Sequence, residues 1–340
     1  MTSRQILAHH RSLAGRLRYR YLDSEALGLR KPFYVYEPPG LKQATGPIPL
    51  LYLFRGHERE WVNMEEDQAR QRRTAIGDLD ILIASGALPP VIAVMPGLNS
   101  TNNHVPSLGV DMVGPWDAKL NGLGTGQFWT FLTDELIPRV ERDYPQATGA
   151  SRLAAGFSLG GYTVSLLAVQ RPALFDHVGI YDGLLMWPRH EDPRQPRPAG
   201  SSGGGERATA SPDSDRPWAS TASSRPASTD PIWGQVGLFD AALGRPRDHA
   251  AMARWNPTDR LVDPAPTFLE RLQAVTFWIA CAPQDGQHGN LHRSRAFAQR
   301  LRELDVPVGF EEVVLHPEAR HDWHWADRFM IRFLERTLPA

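Results

Sequence analysis

The chain has one cysteine, Cys281, in 340 residues, which excludes an intramolecular disulfide framework and fits a reducing compartment. It has no excess of charge, with 37 Lys and Arg against 38 Asp and Glu, so no net field would draw it onto nucleic acid or an anionic membrane. It also has no apolar run near the roughly 18 residues of a membrane helix. Residues Met1 to Arg20, rich in Arg and His, do not contain the apolar run of about 7–15 residues that marks a signal peptide. These absences predict a cytoplasmic protein without membrane insertion, acting on a small or neutral molecule, and they leave its oligomeric state open.

What is present is an alternation of short apolar runs with longer helix-period stretches, the pattern of a mostly parallel sheet covered by helices on both faces. Arg16 to Tyr21 and Pro32 to Tyr36 read as opening strands, suited to an antiparallel edge. Pro49 to Phe54, Val91 to Met95 and Arg152 to Gly156 are apolar almost throughout, as strands buried on both faces are. His177 to Tyr181, Val275 to Ala280 and Val308 to Val314 continue the series, giving about eight strands. Helices are predicted over Gln127 to Asp143, Leu159 to Gln170, Arg293 to Leu304 and Trp323 to Leu338. The expectation is a single α/β domain over residues 1–340. Residues 189–230, dominated by Pro, Ser, Gly, Arg and Asp with Trp218 as their one large apolar residue, form an insertion too polar to offset its own chain entropy, and the composition predicts disorder.

The chemical signal is Gly156-Phe157-Ser158-Leu159-Gly160-Gly161, where a strand pattern meets a helix pattern. A G-x-S-x-G in that setting is a nucleophile elbow: the turn forces the serine into a strained backbone, and only glycine leaves room beside it. Ser158 then faces developing charge at a helix N-terminus. A serine hydroxyl needs a base, and the base an orienting acid, following in the order Ser, Asp or Glu, His. Asp285, after the Val275–Ala280 run, and His321, after the Val308–Val314 run, meet that order at strand C-terminal ends. Asp263 and Asp322 compete with Asp285, and His324 with His321. The pairs His288/His292 and His321/His324 also suggest metal ligands, but no carboxylate or cysteine stands at the spacing a metal site requires. For the oxyanion, the N–H of Leu159 follows the nucleophile, and the N–H of His57, after Gly56 at the end of the Pro49–Phe54 run, is the second donor. Arg55, Phe157, Trp61, Trp187 and Trp323 are candidate substrate contacts near the same rim.

These residues resemble the putative-esterase family of α/β hydrolases, which embraces S-formylglutathione hydrolases, feruloyl and enterochelin esterases and mycolyltransferases. Leu51-Tyr52-Leu53-Phe54-Arg55-Gly56 is similar to the family's L-Y-L-L-H-G, Val94-Met95-Pro96 to V-M-P, and Phe131 to Pro138 to F-L-x-x-E-L-I-P. Ala155 to Tyr162 is similar to A-G-x-S-M-G-G-Y, and Asn256-Pro257 and His321-x-Trp323 also fit. The resemblance implies the α/β-hydrolase fold, a Ser158, Asp285, His321 triad, no cofactor, and ester or thioester substrates cleaved through an acyl-enzyme. An acyltransferase with a sugar or alcohol acceptor is the alternative, and a non-catalytic binding protein of the same fold is a third reading. The chain departs from the family pattern at Arg55, where histidine is usual, at Arg320, where glycine often precedes the base, and at Asp182, where many members carry serine.

Overall fold

The computed structural model describes residues 1–116, 122–187, 233, 237–283 and 289–338. Among them the strands are β1 (Arg16–Ser24), β2 (Leu29–Glu37), β3 (Leu50–Phe54), β4 (Ile92–Pro96), β5 (Arg152–Phe157), β6 (His177–Tyr181) and β7 (Thr276–Ala280). They form one sheet in the order β1-β2-β4-β3-β5-β6-β7. β1 pairs antiparallel with β2, and β2 antiparallel with β4. From β4 across β3, β5 and β6 to β7 every pairing is parallel. The C-terminal tips of β3, β5, β6 and β7 therefore lie along one rim, where open α/β sheets place their ligands.

The apolar strands are buried because both faces of the sheet are covered. Along β3, Leu50, Tyr52 and Phe54 enter one apolar cluster, while Leu51 and Leu53 enter the other. Such alternation is the period of two that a strand imposes on its side chains. The first cluster also takes Val164, Leu167 and Val169 from the helix Leu159–Gln170. The second takes Phe329, Met330 and Phe333 from the closing helix Trp323–Thr337.

The helices that matter here are α1 (Ser3–His9), α2 (Ala75–Ala84), the composite α3 (Phe128–Thr130, Phe131–Leu136 and Ile137–Asp143), α4 (Leu159–Gln170), α5 (Asn290–Glu303) and α6 (Trp323–Thr337). The middle segment of α3 is wound as a π-helix. α1 and α2 are additional to the helices the sequence pattern predicts. Thr2 opens α1 with a capping box, and Thr74 opens α2 by accepting from Gly77 N–H, the serine/threonine start signal that the apolar pattern alone does not carry.

One expected strand is corrected. Val308 to Val314 does not form a strand; it touches β7 through two isolated parallel bridges, Phe277 to Val308 and Cys281 to Val314. Between these bridges the Trp278 indole stands against Gly309, where an added Cβ would lie 2.5 Å from the ring. The Phe310 ring packs edge-on against the same indole at 5.1 Å. The segment bows around this aromatic pair, so its ladder breaks in the middle. The 189–230 insertion lies outside the described residues. No described helix is long and apolar enough to cross a membrane.

Candidate active site

At the end of β5 the chain turns sharply into α4. Ser158 holds φ 55°, ψ −113°, a conformation that costs a non-glycine residue of order 1–3 kcal/mol. Its neighbours explain how the turn survives. An added Cβ at Gly160 would lie 1.9 Å from the Phe54 carbonyl oxygen, and one at Gly156 would lie 2.2 Å from Gly160. Only hydrogen fits at either place. The Ser158 N–H donates to Tyr181 O (3.0 Å), and its own carbonyl accepts from Leu184 N–H (3.2 Å), so the elbow is tied to β6 on both sides. Ser158 occupies the N-cap of α4 but makes no side-chain capping bond. Its hydroxyl is thereby left for other work, beside a helix N-terminus that favours negative charge.

The register that sets Phe157 opposite Tyr181 brings the next residue on each strand, Ser158 and Asp182, to the same tip. Asp182 is held in the left-handed region at φ 47° by its N–H bond to Ala280 O (2.8 Å). Its side chain is buried, and Oδ2 lies 2.8 Å from His321 Nδ1. The other oxygen, Oδ1, accepts from the Cys281 thiol, 2.6 Å away. Asn290, the first residue of α5, donates from Nδ2 to the Asp182 carbonyl at 3.3 Å. The carboxylate is thus fixed at both oxygens, with Asn290 holding the backbone behind it, and its contact with Nδ1 selects the imidazole tautomer that leaves Nε2 able to accept a proton.

His321 stands on the loop before α6. Tyr181 Oη donates to Arg320 O (2.6 Å), lashing that loop to β6. The Phe157 ring centre lies 4.8 Å from the imidazole and 5.1 Å from the Trp323 ring. Behind Trp323 stand Trp61, edge-on at 5.0 Å, and the Arg70 guanidinium, 4.1 Å over the ring. Arg70 is itself fully buried and forks onto Asp327 through Nε and Nη2, both at 3.0 Å.

Against the sequence reading, the structure brings Ser158 and His321 to one rim and places the Asp182 carboxylate on the His321 imidazole. Asp285, the acid expected from sequence, lies outside the described residues. Asp322 caps α6 by accepting from Trp325 N–H (3.0 Å), which is the ordinary task of an aspartate at that position, and His324 is exposed. Asp182 stood out in the sequence only as a departure from the family pattern, where serine is usual, and was not among the acid candidates. No spacing rule marked it, because its role depends on the pairing of β5 with β6.

Trp61 is 1% exposed and packs edge-on against Trp323; Trp323 is also buried, and its partners are Phe157, Trp61 and Arg70. Trp187 is buried at the edge of the described chain, its carbonyl accepting from Asn256 Nδ2 (2.8 Å). The His57 N–H, expected as the second oxyanion donor, is taken in this structure by Glu60, whose Oε2 lies 2.5 Å from it and 2.9 Å from the Gly56 N–H. Arg55 arches over the Phe157 ring, its guanidinium carbon 5.2 Å from the ring centre.

A mixed sheet of this order, with a glycine-flanked serine in a strained strand-to-helix turn and a histidine on a carboxylate at the same rim, defines an α/β-hydrolase fold. Residues 24–264 match the family described as "Putative esterase", and the chain belongs to that family. A curated relative, an endo-1,4-beta-xylanase/feruloyl esterase of Xylanibacter ruminicola, is 29% identical over 180 residues, 50% of this chain and 22% of that protein. The chain thus corresponds to about a fifth of that relative's length. Among solved structures, a ferulic acid esterase superposes with a TM-score of 0.62 at 19% identity, covering 95% of this chain and 97% of the other. An S-formylglutathione hydrolase from Agrobacterium tumefaciens gives 0.58 at 16% identity, covering 96% of each chain.

Proposed function

We propose that this protein is a serine carboxylesterase that cleaves a small carboxylic ester or thioester through an acyl-enzyme, with Ser158 as nucleophile, His321 as base and Asp182 as the orienting acid. The observation that carries the reading is the 2.8 Å contact between His321 Nδ1 and Asp182 Oδ2 at the strand tip next to the strained Ser158. In the first step His321 Nε2 takes the hydroxyl proton as the oxygen attacks the ester carbonyl. The imidazolium then passes that proton to the departing alcohol or thiol. In the second step a water molecule, deprotonated by the same nitrogen, releases the acid and restores the hydroxyl.

The oxyanion formed in each step is held by the Leu159 N–H at the head of α4 and by the His57 N–H once Glu60 has released it. Family membership and the esterase names of the relative and the structural neighbours support the reaction class. The test is covalent labelling of Ser158 by a fluorophosphonate, paired with hydrolysis of p-nitrophenyl acetate. Ser158→Ala is expected to abolish labelling and to cut turnover about 10⁴-fold or more, with an unchanged melting curve. Near-normal hydrolysis by that variant would remove the assignment.

A further inference from the structure

A single N–H offers one direction to an acceptor. The Glu60 carboxylate oxygen, 2.5 Å from the His57 nitrogen, therefore stands where an oxyanion bound by that amide would stand, since such oxygens lie about 2.7–3.1 Å from their donors. Both cannot be there together, because two negatively charged oxygens would be in contact in a site largely closed to water. Glu60 is 5% exposed, so it cannot escape into solvent without a large rearrangement.

It has a second partner close by. Its other oxygen, Oε1, is 3.9 Å from Arg55 Nε, just beyond hydrogen-bond range, and that Nε is buried with no hydrogen-bond partner among the described residues. An unsatisfied guanidinium N–H next to a carboxylate is a ready destination for it.

We propose that Glu60 is a reversible occupant of the His57 oxyanion donor: without substrate its carboxylate holds the His57 N–H together with the neighbouring Gly56 N–H, and in turnover it turns onto the Arg55 guanidinium and leaves the His57 N–H to the substrate carbonyl. The proposal rests on the esterase reading above and on His57 as a donor. It also gives a task to Arg55, which stands where histidine is usual in the family pattern. The two amides stay oriented and dry in the free enzyme, at the cost of a competition that the substrate must win.

The charged groups that face the Glu60 carboxylate are Arg55 from the end of β3 and Glu66 from the loop after it; the His57 and Gly56 N–H groups donate to it, and Arg70 Nη1 is bonded to the Glu60 carbonyl. Burial pushes the Glu60 carboxyl up from the usual range, with Arg55 opposing the rise. Protonation of Glu60 weakens its hold on the amides, so its competition with substrate fades toward acid pH.

Glu60 is a positioning residue in this scheme, and the experiment measures fluorophosphonate labelling rates of Ser158 together with KM and kcat for p-nitrophenyl acetate. It uses the full chain as wild type, Glu60→Gln, Arg55→Met and the double variant. Glu60→Gln is expected to label at least about threefold faster than wild type at neutral pH and to lower KM by a similar factor. Arg55→Met, which removes the destination, is expected to label about tenfold slower, and the double variant to return to within about twofold of Glu60→Gln. The rate ratio of Glu60→Gln to wild type should shrink toward one as pH falls, because the wild-type carboxylate then loses its charge.

Slower labelling by Glu60→Gln, with no recovery in the double variant, would show that Glu60 only braces the loop. Should Glu60→Gln fail to melt cooperatively, the Arg55→Met arm decides: its labelling deficit must narrow as pH falls, and a pH-independent deficit overturns the proposal. A wild-type enzyme that the probe does not label at all refutes the esterase reading instead, which keeps the two failures distinct.

Discussion

Asp182 at the tip of β6 holds His321 across 139 positions of sequence, with Oδ2 at 2.8 Å from Nδ1. The residue the sequence offered for this place, Asp285 after β7, lies outside the described residues; among those described, the carboxylate on the imidazole stands one strand nearer Ser158. β6 lies between β5 and β7, and all three tips open on the same rim. The Cys281 thiol, at the end of β7, then donates to the far oxygen of the same carboxylate.

The acid can be identified by exchange. Asp182→Asn keeps the shape but offers His321 Nδ1 either a competing donor or a neutral acceptor, and kcat is expected to fall by about 10³–10⁴-fold. Asp285→Asn is expected to stay within about threefold of wild type. Steady-state hydrolysis of p-nitrophenyl acetate by the two variants separates them. A larger loss in Asp285→Asn returns the acid role to the loop after β7.

The lash between Tyr181 and the histidine loop predicts a smaller effect. Tyr181→Phe removes the Oη bond to Arg320 O and leaves the aromatic stack in place. Stability is expected to drop by about 1 kcal/mol, while kcat falls about tenfold because the imidazole is less well placed. Urea unfolding and initial rates measure the two losses, and an unchanged kcat would show that Phe157 and Trp323 alone suffice to place His321.

The elbow glycine predicts a loss of fold. At Gly160 an alanine Cβ would lie 1.9 Å from the Phe54 carbonyl oxygen, and backbone on both sides leaves nothing flexible to yield. Gly160→Ala is expected to cost about 3 kcal/mol or more, seen as a lower urea midpoint and a lower yield of labelled Ser158. A variant with wild-type stability would mean that β3 and α4 can separate.

The buried pair behind Trp323 predicts a pH dependence of stability. Burial pushes the Asp327 carboxyl up to about 6 against the opposing pull of Arg70. An acid whose pKa is raised by folding binds its proton more tightly in the native state. Its contribution is therefore fully favourable below the unfolded value near 4 and is lost as pH rises through about 6. Relative to Asp327→Asn, the wild type should gain of order 2–3 kcal/mol on going from pH 7 to pH 4. Arg70→Met, which strands the carboxylate, is expected to cost about 3–5 kcal/mol at pH 7 and less in acid. Urea midpoints of the three proteins across that range give the comparison.

Much of the fold was written in local pattern. Runs such as Leu50–Phe54 and Arg152–Phe157, apolar nearly throughout, allow little but buried parallel strands, and the glycines on either side of Ser158 name the elbow because no other residue fits them. His321 was a candidate from the sequence too, since it follows the last strand-like run and stands just before the closing helix. What chain order left open was the acid. Asp182 and Asp285 both fall between Ser158 and His321, and only the hydrogen bonding of β5 to β6, a contact between residues far apart in sequence, sets Asp182 beside the imidazole. The same holds for the bowed segment along β7, where the Trp278 ring and Phe310 break a ladder that local composition favours, and for Glu60, whose hold on the His57 amide is a matter of side-chain reach. Periodicity and turn chemistry act over a few residues and were fixed by the chain itself. The tertiary structure decided which carboxylate meets the His321 imidazole and which meets the His57 N–H, because each choice depends on where distant strands bring their ends.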